Sequence, residues 1–228
     1  MERHFHEELR TLEDRLAAMG ALVEARTRDA VTALREHRPD LAAVVASGDT
    51  PVNDIELEID DLCLKLLALQ HPVGSDLRMV RSILKANTDL ERVGDQAVNI
   101  AQASMKLLQF PSIEPARDVD PLANLALSML HDTLLAFVER DVDRALSVLR
   151  RDDAADATRD AILRARMARM IVDPGTAERG LALIVIARCL ERIADHATNI
   201  AEDLIFMVEG RDVRHREGTG LFSTDINR

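Results

Sequence analysis

The sequence predicts an all-α fold of two tandem three-helix bundles related by a pseudo-twofold, on the strength of its composition, its apolar spacing and an internal repeat. Aromatic residues are 2% of the 228, with no Trp and no Tyr, so a core must be assembled from Leu, Ala, Val, Ile and Met. Apart from Val and Ile these are good helix formers, while the aromatic residues that favour strands are nearly missing. An apolar content of 47% is that of a folded chain, and the length suffices for one large core or two small ones.

The elements follow in order. Phe5, Leu9, Leu12, Leu16, Met19 and Val23 alternate spacings of four and three, the seam of a long helix that Pro39 ends. A short helical stretch follows Asp40, and Ser47-Gly48-Asp49-Thr50-Pro51 is a turn with Pro51 suited to the first turn of the next helix. That helix carries Ile55, Ile59, Leu62, Leu66 and Leu69 and stops at His71-Pro72. A long helix then runs from near Asp76 to about Gln109. Residues 1–110 form the first unit, and 111–120, rich in proline and charge, form a linker. The second unit, 121–210, repeats the plan: a helix to Arg140, another interrupted or bent near Arg151-Asp152 that reaches about Ile171, a turn at Asp173-Pro174-Gly175, and a last long helix capped by Gly210. Residues 211–228 are a polar tail.

The repeat is explicit in sequence. Leu90-Glu91-Arg92-Val93-Gly94-Asp95-Gln96-Ala97-Val98-Asn99-Ile100-Ala101 returns 100 residues later as Leu190-Glu191-Arg192-Ile193-Ala194-Asp195-His196-Ala197-Thr198-Asn199-Ile200-Ala201, identical at eight of twelve positions. The preceding helices match at an offset of 103, Asp49-x-x-Val52-Asn53 against Asp152-x-x-Ala155-Asp156.

Several function classes are excluded. The net charge of −11 repels phosphate backbones, and without Trp or Tyr there is little to stack bases on, so direct nucleic-acid binding is not expected. Cys63 and Cys189 lie in apolar helical stretches with no CxxC, which reads as two buried free thiols in a reducing compartment. The N-terminus is polar, and the longest fully apolar run, 181–187, is far too short to span a bilayer. The expectation is a cytoplasmic protein that reaches a membrane only through partners. No histidine has a Glu three residues before it, which argues against a di-iron bundle enzyme, and no phosphate-binding glycine loop or nucleophile elbow occurs.

The chemistry sits in the repeated signature. Glu91, Asp95 and Asn99 are four apart and form a column on one helix face, as do Glu191, Asp195 and Asn199. On a helical wheel the first column interrupts an otherwise apolar face carried by Leu77, Val80, Leu84, Val98 and Met105. Ile184, Ala187 and Ile205 flank the second. Crowded carboxylates in such a face are costly unless a cation compensates them. Hard oxygen ligands suit magnesium, calcium, manganese or iron, and ligand type alone does not choose among them. The two asparagines can add ligands or orient the carboxylates. Asp49, Asn53, Asp152 and Asp156 are weaker candidates, read as caps or surface, and His196 is read as surface because its counterpart is Gln96. A column of acids also serves a partner arginine, so a helical adaptor without metal is the second reading.

Together with Ser75-Asp76-Leu77-Arg78 and the Phe5-His6-Glu7-Glu8-Leu9 start, these signatures resemble the PhoU family, the phosphate-specific transport system accessory proteins, over nearly the whole chain. The resemblance implies a PhoU-like helical bundle, often a homodimer, whose E(D)xxxD motifs bind divalent or trivalent cations (iron, zinc, magnesium or manganese) in metal clusters. In this chain the metal-site positions are Glu91, Asp95, Glu191 and Asp195. It further implies a non-enzymatic negative regulator of phosphate import and starvation signalling, contacting the phosphate transporter ATPase subunit and the phosphate-sensing histidine kinase. One departure is Ala194 in place of the motif's glycine, too small a change to alter the site.

Overall fold

The computed structural model describes residues 2–48, 50–110 and 117–214, with side chains from Phe5 onward. Asp49, linker residues 111–116, and tail residues 215–228 with His215 lie outside the described residues. Within them the chain forms α1 (Glu2–Arg35), α2 (Pro39–Ser47), α3 (Thr50–Gln70), α4 (Gly74–Leu107), α5 (Asp120–Glu139), α6 (Val142–Leu149), α7 (Asp152–Val172) and α8 (Ala177–Glu209). Single 3-10 turns at Arg117–Val119 and Pro174–Thr176 precede α5 and α8, and no strand occurs among the described residues.

Local chemistry explains the breaks. After α1 the chain reverses through His37 at φ 53°, and Arg38 is extended because Pro39 follows it, which starts α2. His71 (φ 49°) and Gly74 (φ 58°) flank Pro72, so α3 ends and α4 begins within four residues. Of the interruption or bend expected near Arg151, the structure has the interruption: Asp141 caps α6 by accepting from the Arg144 N–H, and α7 restarts at Asp152. The first half therefore has helices of 34, 9, 21 and 34 residues and the second of 20, 8, 21 and 33, with the short α2 and α6 added to the three-helix plan.

The two halves share one core. Helices α4 and α8 run antiparallel along each other: Ser82 donates to the Asp203 carbonyl (2.9 Å), and Asp89 meets His196 (2.8 Å) seven residues further along each helix. Helices α1 and α5 form a second antiparallel pair, tied by Arg35–Asp120 (2.6 Å), Glu24–His131 (3.0 Å) and Glu13–Arg140 (2.7 Å). Gly20 of α1 packs directly under Leu134 of α5, since a Cβ there would lie 2.6 Å from a Leu134 methyl. The α1 seam is as the spacing predicts, with Leu12, Met19 and Val23 fully buried. The stretch Arg117–Glu139 is apolar and long enough to cross a membrane by length and composition. In the fold its Leu122, Ala126, Met129, Leu130 and Ala136 belong to the core, which accounts for that apolarity. At the motif's glycine position, a Cβ on Gly94 would make ordinary contact with Val52 at 3.4 Å, and Ala194 is fully buried, so alanine fits there.

Candidate metal centre

In the second half, α7 and α8 bring three carboxylates together. Asp156 projects from α7 toward Glu191 and Asp195 of α8, and one oxygen from each lies within 4.8 Å of the others. The Glu191 side chain is 11% exposed, which makes it the most enclosed of the three. Burial, then the neighbouring Asp195, pushes its carboxyl above the ordinary range against the pull of Arg159. Asp195 is raised as well, by burial and by Asp152 and Asp156. Asp152, on the same face of α7, accepts from the Thr198 hydroxyl at 3.1 Å.

A single cation already stands among these acids. Arg159 of α7 pairs through Nη1 with Glu191, through Nη2 with Asp156 (3.2 Å) and through Nε with Asp160 (3.0 Å). Burial opposes its charge, but the three carboxylates more than compensate, and its pKa is raised.

The first half differs. Glu91 and Asp95 are partly buried on α4, and Arg92 lies 3.5 Å from Glu91 and 3.8 Å from Asp95 while remaining largely exposed. Glu56 and Asp60 of α3 meet α4 one turn earlier, at Asn87. Asn87, one turn before Glu91 and fully buried, donates to the Glu56 carbonyl (3.0 Å) and to Asp60 Oδ1 (2.9 Å). Its own Oδ1 accepts no hydrogen bond among the described residues. Burial, with Asp60 adding to it, pushes the Glu56 carboxyl up. Among the described residues the acids close enough to share a hard cation are those of the second half, Asp156, Glu191 and Asp195.

The sequence and the structure differ in detail. The acid-bearing face of α4 is less apolar than the wheel suggests: Val80 is buried and Leu84 and Val98 partly so, but Leu77 and Met105 at its ends are open to solvent. Asp156, ranked as cap or surface, is exposed and is also a member of the carboxylate group, and Asp152 is partly buried and accepts from Thr198. Asn199 donates to Asp89 (3.3 Å) across the halves, and Asn99 is exposed. His196 is no free surface residue, since it is partly buried against Asp89. Arg159 and Glu56 were missed. The signal was available in the offset of 103 between the middle helices, which aligns residue 56 with residue 159.

Comparison with known proteins agrees with this architecture. The PhoU domain model matches twice, over residues 16–104 and 119–204. The chain is 40% identical over 216 residues to the phosphate-specific transport system accessory protein PhoU homolog of Pseudomonas putida, covering 94% of this chain and 84% of that one. It is 36% identical over 217 residues to PhoU of Serratia marcescens, covering 95% and 89%. The crystal structure of PhoU from Pseudomonas aeruginosa superposes with a TM-score of 0.88 at 38% identity, covering 91% of this chain and 100% of that one. With both halves matched in sequence and the helices superposing along the chain, this protein belongs to the PhoU family of phosphate transport accessory proteins.

Proposed function

We propose that this chain is a cytoplasmic, non-enzymatic regulator that holds back high-affinity phosphate import and phosphate-starvation signalling, acting through contacts with the transporter ATPase subunit and the phosphate-sensing histidine kinase. The observation that carries the proposal is the double match to the accessory-protein family over both halves. In this reading the chain works as a homodimer. Partners dock on its helical surface, where Leu57, Leu64 and Leu69 of α3 and Ile171 and Val172 of α7 are exposed. Large apolar side chains left in the open on these two helices support an interaction surface there.

The acidic columns are read as metal ligands, Glu91 and Asp95 in the first half and Glu191 and Asp195 in the second. The orphaned Asn87 oxygen and the converging carboxylates support this. A bound cation would offset the burial and, after it, the repulsion that raise the Glu191 and Asp195 carboxyls. The second reading is an adaptor whose acidic columns bind partner arginines without metal, the same pairing that the chain's own Arg159 makes with Glu191.

A deletion strain tests the regulatory role. Loss of the protein is expected to raise phosphate uptake and to switch on starvation genes at high phosphate, and unchanged uptake with unchanged expression would sink the proposal. Elemental analysis of protein purified without chelator tests the metal, with iron, zinc, magnesium and manganese as the cations sought.

A further inference from the structure

The whole-chain charge of −11 conceals one basic end. Between Arg164 and Arg192 the chain carries six arginines against Asp173, Glu178 and Glu191, so the remainder is more acidic than the total suggests. Helices α7 and α8 run antiparallel here: Arg159 pairs with Glu191, and Met170 packs on Gly180, where a Cβ would lie 2.7 Å from the methionine sulfur. Residues 164–172 of α7 therefore lie beside 178–188 of α8, on either side of the Asp173-Pro174-Gly175 turn. Arg166 is held by Asp118. Burial, and after it the charges of Arg179 and Arg169, pulls its guanidinium below the usual range, a sign that the three cations crowd one another. Arg164, Arg169, Arg188 and Arg192 are exposed and make no ion pair among the described residues.

Aliphatic side chains stand among these arginines. On α7, Arg164, Met167 and Ile171 share one exposed face by their spacing of three and four, and on α8 Leu181, Val185 and Arg188 do the same. Ile171 and Val172, in the last turn of α7, are 80% and 83% exposed. The matching end of the first half also exposes Leu69 and Val73. There the charge is spoken for: Lys65 pairs with Asp61, Arg81 and Lys85 with Asp203, and Arg92 with Glu91, while Arg78 donates to the Met207 carbonyl at 3.5 Å. Exposed apolar side chains thus occur at both ends, and uncompensated arginines at one.

An occupant of the α7–α8 end has to be anionic and to accept aliphatic side chains at shallow depth. A second copy of the chain meets this poorly, because a twofold contact sets the same arginines against each other. An anionic bilayer meets it: headgroup phosphates take the guanidiniums, and the boundary with the acyl chains takes the aliphatic groups. The same surface repels the acidic remainder of the molecule, which leaves one orientation. We propose that the α7–α8 end docks directly on an anionic phospholipid membrane, through Arg164, Arg169 and Arg188 with Ile171, Val172 and Leu181 seated among the headgroups. Contact with a membrane is then a property of this chain itself, and it stands apart from metal binding.

The test is flotation of the full-length protein with vesicles of phosphatidylcholine alone and of equimolar phosphatidylcholine and phosphatidylglycerol. Wild type is expected on the anionic vesicles only, with binding that falls as salt is raised. Arg169→Gln/Arg188→Gln should weaken it about thirtyfold, roughly fivefold for each arginine. Ile171→Ser/Val172→Ser should weaken it at every salt concentration, and Leu69→Ser/Val73→Ser should leave it unchanged. All six positions are exposed, and circular dichroism checks that each variant folds; Arg164→Gln/Arg192→Gln replaces the arginine pair if that one does not. Absence of binding to anionic vesicles, equal binding to neutral ones, or an equal loss with the Leu69/Val73 pair overturns the proposal. So does a smaller oligomer in Ile171→Ser/Val172→Ser with vesicle binding kept, which assigns the face to a second copy.

Discussion

Glu202 lies in α8 seven residues beyond Asp195, partly buried among Asp203, Asp212 and Asp152 with Arg214 nearby. Burial is the main cause that pushes its carboxyl up to about 7, Arg214 opposing and the acids adding to it. A carboxyl raised in this way binds its proton more tightly folded than unfolded. Stability therefore falls as pH climbs from the unfolded value of 4.5 toward 7, and the whole loss is present above that. Glu202→Gln is expected to stabilise the protein at pH 8 by about 1–2 kcal/mol, after allowance for solvent screening, and to change little at pH 4. Unfolding in urea at the two pH values checks this, and equal shifts at both would show that the residue acts through packing and not through its charge.

Between elements, the α4–α8 contact is a polar clamp set in an apolar seam. The Asp203 side chain is 4% exposed and is approached by Arg81 Nη1 (3.3 Å) and Lys85 Nζ (3.5 Å). Burial holds its carboxyl above the usual range while the two cations pull it back. Arg81 also lies over the Phe206 ring, 4.3 Å from its centre. Removing one cation leaves a buried charge less compensated, so Arg81→Ala should cost about 1–3 kcal/mol. Adding Asp203→Asn in that background should recover much of the loss, which a double-mutant cycle measures directly. No recovery would mean that Arg81 contributes through its stacking on Phe206 alone. The counterpart of Asp203 is Ala103, so this clamp belongs to one half and could not be inferred from the repeat.

For the whole molecule, the decisive fact is that the repeats are fused. The long helices α4 and α8 pack against each other, and one apolar core runs through residues of both halves. Residues 1–110 expressed alone would leave the α8-facing side of α4 in water. They are expected to self-associate or aggregate, whereas the full chain unfolds in one cooperative transition; light scattering and calorimetry distinguish the outcomes. A soluble, monomeric, cooperatively folding first half would show that the interface between halves is dispensable.

The all-helical class, the doubling of the plan and the identity of the acidic residues were legible in the sequence. Each depends on local periodicity, on residues that cannot continue a helix, or on self-similarity, and none needs contacts between distant segments. Pro39, Pro72 and Pro174 mark breaks for a covalent reason that no packing can override. The split of α6 from α7 was only half visible, because Arg150-Arg151-Asp152 contains no strong breaker. What faces the acidic columns could be decided only by the tertiary structure. Glu191 and Arg159 are 32 residues apart, and Asp89 and His196 are 107 apart. Whether a repeated acid meets an arginine, another carboxylate or a buried amide depends on the rotation of one helix against the next, which close packing sets and the linear pattern of a single helix does not contain. The twice-written signature is thus common to both halves, and in the second an arginine of the neighbouring helix stands against it.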